Sequence, residues 1–188
     1  MTAIAQTLNW TSVRLPWPAR VGLAFGMACL TGLMAQVRIP LPFTPVPLTG
    51  QVFAVLAAGA LLGARFGALS QLMYIGLGCS GMSWFAGFSC GIPTLFGPTG
   101  GYLLGFVLAA HLVGTLSRLP SLRKPVPLFC VMVCGVAAIH LAGAVQFAAF
   151  MGTGLQATLA GAVLPFIGVD LVKAAAAAGL GWALLPRE

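Results

Sequence analysis

Apolar residues run through this chain in long blocks separated by short clusters of Pro, Gly and Arg. The blocks do not alternate with period two, so they predict helices rather than the strands of a barrel. Six are predicted, at about residues 19–37, 46–64, 66–86, 99–117, 127–152 and 163–185. Each is near the roughly 20 residues that a helix needs to cross a bilayer. The ambiguous break is "GARFG", residues 63–67; without it, residues 51–79 read as one long span with Arg65 in its middle.

Charge resolves the ambiguity. With six spans and an inside N-terminus, Arg14, Arg20, Arg65, Arg118, Arg123, Lys124 and Arg187 fall on one side, and only Arg38 and Lys173 fall elsewhere. A five-span reading puts the "RLPSLRK" loop opposite Arg14 and Arg20. The positive-inside rule therefore predicts an all-α integral membrane bundle of six transmembrane helices with both termini cytoplasmic. It forms a single transmembrane domain over residues 1–188. The first block starts near Val21, behind a polar, Pro-containing leader, and further spans follow, so no cleavable signal is expected.

Composition agrees. The chain is 60% hydrophobic and 6% charged, with a mean hydropathy of +1.03; a soluble domain is about 25% charged. The net charge of +7 comes from nine scattered basic residues, mostly between apolar blocks. That pattern suits topology signals rather than a phosphate-binding surface, so nucleic acid is not an expected partner. The five cysteines show no metal-type pairing. Cys130 and Cys134, one helical turn apart, read as small buried apolar side chains. Cys79 and Cys90 flank a Gly-rich loop, which leaves a disulfide open there.

Two connections stand out. In "RIPLPFTPVPLTGQ" (38–51), Pro40, Pro42, Pro45 and Pro47 exclude a helix, because each lacks an N–H donor and biases its predecessor to extended backbone. "GLGCSGMSWFAGFSCGIPTLFGPTGGY" (76–102) mixes Gly with Trp84, Phe85, Phe88 and Phe96. The predicted topology places both outside.

The sixth block holds the chemistry. Asp170 and Lys173 lie inside it, and the chain's other acid is Glu188. At i, i+3 they share a helix face near the outer end. They read either as a self-neutralising ion pair or as a polar clamp in a ligand cavity. Intramembrane ionisable groups are functional candidates by default, and a purely structural pair is replaceable by apolar residues, so the clamp is favoured. Gln51, opening the second span, reads as a ligand contact or a helix cap. Gln71, Tyr74 and Gln146 read as interhelical hydrogen-bonding groups. His111 and His140 have no cysteine or carboxylate at ligand spacing; neither is expected to hold metal, and both read as neutral groups hydrogen-bonded within the bundle. "GPTGGYLLG" (97–105) lacks the Lys-Ser/Thr ending of a phosphate loop. No HExxH, GxSxG or carboxylate pair supplies catalysis, so neither an enzyme nor a cofactor is expected.

Three stretches together resemble the BioY family, the biotin-binding S-components of energy-coupling-factor (ECF) transporters: "IPLPFTPVPLTGQ" (39–51), "GPTGGYLLGF" (97–106) and "FIGVDLVK" (166–173). With similar spacing throughout, the resemblance covers nearly the whole chain. It implies high-affinity capture of biotin from outside, in a cavity near the outer face closed by the loop after the first span, in a bacterial cytoplasmic membrane. Asp170 and Lys173 match the family's polar ligand contacts, and Gln51, Phe43, Trp84 and Tyr74 are the further candidate contacts. Biotin also suits the residues: its urea carries two N–H donors, its carboxylate suits an ammonium, and its ring and chain are apolar.

The resemblance further implies a transmembrane coupling subunit and two ATPase subunits as partners, although some family members are thought to work without a dedicated energising module. S-components often meet the coupling subunit through small residues of the first helix, which here points to Ala24 and Ala28; without the family, the same residues read as close packing within the bundle. One departure is visible: the family commonly reads "GLPVFAGG" before GPTGGY, whereas Met82, Ser83 and Trp84 stand here where Leu-Pro-Val is expected. The alternative function is a self-contained channel or facilitator for another small solute.

Overall fold

The computed structural model describes residues 16–185. Arg14, Arg187, the polar leader and both termini lie outside the described residues. The elements are α1 (Trp17–Gln36), β1 (Arg38–Leu41), β2 (Thr44–Thr49), α2 (Gln51–Cys79), α3 (Ile92–Phe96), α4 (Gly100–Leu116), a 3-10 turn (Pro120–Leu122), α5 (Pro125–Met151), α6 (Leu155–Ala162) and α7 (Leu164–Leu184). Among them α1, α2, α5 and α7 are long and apolar enough to cross a membrane, and α4 is a shorter apolar helix.

α2 is two helical segments joined at a sharp kink, and it is bent back on itself. Gly63 sits at φ 77°, ψ 177°, a region essentially open to glycine alone. The segments on either side, 51–62 and 64–79, then fold against each other. A Cβ on Gly67 would lie 2.9 Å from the Cα of Gly59, an approach that a straight helix cannot make over eight residues spanning about 12 Å. "GARFG" is therefore a reversal, as its Arg and Gly content predicts.

Small residues set the packing. α4 runs between α2 and α5: Gly59 faces the Ala110 carbonyl, and Gly105 sits within 3 Å of the Ile139 backbone for any added Cβ. In lipid, helices gain little by hiding apolar area, so close backbone approach supplies the contact energy. The core between them holds Val55, Leu56, Val113, Leu128, Met132 and Ile139. Large apolar side chains also face outward, among them Leu33, Leu104, Leu108, Leu141, Val145 and Val172, while Thr31, Ser70, Gln71, His140 and Asp170 are buried inside. Apolar outside and polar inside is the arrangement that a lipid solvent selects.

Several boundaries differ from the sequence expectation. The second apolar block becomes helical only at Gln51, because residues 38–49 form an antiparallel β-hairpin pairing Arg38 with Thr49, Ile39 with Leu48 and Leu41 with Thr44. The prolines that exclude a helix favour this extended backbone, and the ladder is irregular between Ile39 and Leu41, where Pro40 sits. The protein is thus mostly helical rather than wholly so. The third block ends at Cys79, and α6 forms a separate short helix before α7. All five cysteines are free, Cys79 and Cys90 included. Cys130 and Cys134 are exposed on α5: their helix turns that face outward and packs Val131, Met132 and Gly135 inward, which corrects the expectation that they are buried. His111 is also on an outward face, of α4, rather than hydrogen-bonded inside.

One end of the bundle gathers basic residues. The Arg118 guanidinium lies against Gly63, and Arg20 stands over the Phe66 ring at 5.8 Å. The β-hairpin, residues 80–99 and α6 lie at the other end.

Candidate functional site

Asp170 is placed two turns into α7, with 3% of its surface exposed. Both carboxylate oxygens are engaged. Lys173 Nζ donates to Oδ1 at 2.7 Å, as the i, i+3 spacing predicts. His140 Nε2, from α5, lies 2.9 Å from Oδ2. A carboxylate removed from water needs partners on both oxygens, and the second comes from another helix. This His140 contact is the largest thing that sequence reasoning missed: the two residues are 30 positions apart, and nothing in the sequence fixes which faces of α5 and α7 meet.

These three side chains form the polar wall of a cavity of about 190 Å³. The β-hairpin covers it with Arg38, Pro45, Val46, Pro47 and Thr49, and the loop before α3 adds Phe85, Ala86 and Ser89. Apolar walls come from Val52 on α2, Leu103 and Phe106 on α4, Ile139 on α5 and Phe166 on α7. The hairpin is anchored at its far edge. Thr44 Oγ1 donates to the Gly161 carbonyl at 2.7 Å, and Val46 packs with Phe147, Ala162 and Phe166. Tyr102, which also lines the cavity, donates its hydroxyl to the Ala162 carbonyl. The three stretches singled out in the sequence thus converge on one chamber.

The further candidates separate. Gln51 reaches the cavity, but its side chain is engaged in the protein: Oε1 accepts from Thr49 Oγ1 at 3.0 Å and Nε2 donates to Tyr74 Oη at 2.9 Å. It does not cap the helix. Tyr74 is fully buried behind the lining, between Gln51 and the Trp84 carbonyl. Trp84 also stands behind it, its ring against Gly32 of α1 and its Nε1 donating to the Tyr74 carbonyl at 2.9 Å; its neighbour Phe85 faces the chamber instead. Phe43 falls in the two-residue turn of the hairpin and is 65% exposed, away from the lining. Gln71 makes the interhelical bond expected of it, to Thr31 Oγ1; Gln146 donates to the Leu95 carbonyl of α3 and also to the Gly97 carbonyl in the connection after it, a loop bond that was not expected.

Ala24 and Ala28 are fully buried on the face of α1 that packs against α2. Within this chain their side chains are already covered. The small residues of α1 that remain open are Gly22 and Gly26.

A chamber with apolar walls, charged on one side by Asp170 and Lys173 and on another by Arg38, at the end of an inside-out helical bundle, is the build of a membrane protein that holds a small amphipathic solute. Comparisons with known proteins narrow the class. The profile of the BioY family matches residues 7–187. The chain is 41% identical over 157 residues to the "Probable biotin transporter BioY" of Pyrococcus horikoshii, covering 84% of this chain and 90% of that protein. It is 35% identical over 142 residues to the "Biotin transporter BioY" of Thermotoga maritima, covering 74% and 81%, and 34% identical over 165 residues to that of Rhizobium etli, covering 84% and 88%. In fold it is similar to the crystal structure of the S-component for biotin from an ECF-type ABC transporter, with a TM-score of 0.79 at 22% identity over 97% of this chain and 93% of that one. The chain belongs to the BioY family, a family of transporters.

Proposed function

We propose that this chain captures biotin from the outer side of a bacterial cytoplasmic membrane, as the substrate-binding subunit of an ECF-type transporter. The observation that carries this reading is the buried Asp170–Lys173 pair in the wall of a chamber that also has apolar walls. An ammonium has three donors, and Asp170 takes one. The others are available to a carboxylate, while the chamber's aromatic and aliphatic walls suit a thioether ring and alkyl chain. The names of the relatives from Pyrococcus, Thermotoga and Rhizobium support the choice of ligand.

Six spans with both termini cytoplasmic is the topology of this reading. The reversal at Gly63 supports two spans within residues 51–79, and the basic end formed by Arg20, Arg65 and Arg118 supports its orientation. A coupling subunit and two ATPase subunits are the proposed partners, because the chain carries no phosphate-binding motif of its own. The test is a biotin titration of the purified, folded protein in detergent or lipid. Saturable tight binding is expected; no binding by a monodisperse, thermally cooperative sample would overturn the reading.

A further inference from the structure

We propose that His140 is a positioning residue of the ligand site, holding Asp170 so that Asp170 can hold Lys173. The inference rests on the biotin-binding reading of the cavity. Its first support is the bond geometry. Asp170 receives Lys173 Nζ at 2.7 Å on Oδ1 and His140 Nε2 at 2.9 Å on Oδ2. The i, i+3 bond to Lys173 alone leaves the carboxylate free to rotate, and lysine's four-carbon stem is flexible. A second bond from another helix fixes the carboxylate plane, and with it the direction in which the ammonium faces the chamber.

The setting of the ring is the second support. His140 is 7% exposed. Tyr102 meets it edge-on at 6.2 Å between centroids, and Phe166 lies tilted against it at 6.3 Å. Its other nitrogen, Nδ1, is buried with no partner among the described residues. The ring is thus clamped by aromatic contacts on α4 and α7, and its one polar tether is Asp170. With Nε2 carrying the proton, the imidazole donates to the carboxylate. The arrangement resembles the way an outer residue orients a ligating or reacting one elsewhere.

A positioning role and a space-filling role predict opposite orders for two substitutions in the full chain. His140→Phe keeps a ring of similar size and removes the donor; His140→Gln changes the shape and restores a neutral side-chain N–H donor. Positioning predicts that His140→Gln binds biotin within about threefold of wild type, while His140→Phe loses about tenfold or more, the scale of a hydrogen bond to a charged group. It also predicts that His140→Phe adds little loss in an Asp170→Asn background, since both act through the same carboxylate. The reverse order, or additive losses in the double variant, overturns the proposal. Should His140→Phe not fold, His140→Gln at wild-type affinity supports the proposal, and His140→Gln binding as weakly as His140→Ala overturns it. Wild-type protein that folds but binds no biotin overturns the functional reading, and this proposal with it; wild-type binding with a tolerant His140→Phe overturns this proposal alone.

Discussion

The Gln51 side-chain amide donates to the Tyr74 hydroxyl at 2.9 Å, although the two stand 23 positions apart, on opposite sides of the kink at Gly63. A straight helix would hold them about 35 Å apart. The bond exists because Gly63 turns the chain back, and it ties the floor of the chamber to the Trp84 segment through the Tyr74 hydroxyl.

Gly63→Ala should destabilise the protein. An L side chain at this φ costs about 1–3 kcal/mol, and its Cβ would collide with the Arg118 guanidinium. Gly76→Ala is the matched control, since an added Cβ there meets nothing within 4 Å and alanine is the better helix former. Thermal unfolding in detergent should show a lower midpoint for the first and an equal or higher one for the second.

Tyr74→Phe removes the acceptor of Gln51 Nε2 and leaves that amide donor unpaired in a buried position. The expected cost is about 1–3 kcal/mol of stability. Because the Tyr74 hydroxyl stands behind the lining, affinity for biotin should fall less than it does for Lys173→Ala. Melting curves and titrations on the same preparations check both parts.

Lys173→Ala should weaken biotin more than an uncharged biotin amide, with the difference about tenfold or more if the ammonium meets the ligand carboxylate. Asp170→Asn keeps the shape, removes the charge and leaves Lys173 uncompensated. Its binding should also fall while the helix content, read by circular dichroism, stays unchanged. Equal losses for acid and amide in Lys173→Ala would assign the lysine a structural role.

Topology can be read through thiols. Cys90 is free and exposed in the connection before α3. In a variant lacking the other cysteines, a membrane-impermeant maleimide should label Cys90 in intact cells. Ser121→Cys, exposed in the turn after α4, should react only once the membrane is opened. The opposite pattern would invert the proposed orientation.

Much was legible in the sequence because lipid imposes simple rules. Long apolar blocks must become helices, since no water is present to satisfy the backbone. Prolines 40–47 exclude a helix by lacking donors, and Arg65 marks a reversal because a cation inside a span is costly. The i, i+3 spacing alone determined that Asp170 and Lys173 would meet. Which faces of the helices meet was decided only by tertiary packing. Ala24 and Ala28 lie on the same helix as Gly22 and Gly26 at the same four-residue spacing, and packing buried the first pair while leaving the second open. Trp84 and Phe85 are neighbours of similar character, and the fold sent one behind the wall and the other into it. His140 carried no signal in its own neighbourhood: its partner lies on another helix, and a contact between helices is set by rotation and register that local periodicity does not encode. The sequence by itself determined the apolar solvent, the helical character and the charged pair; the packing of helix against helix decided what stands around that pair.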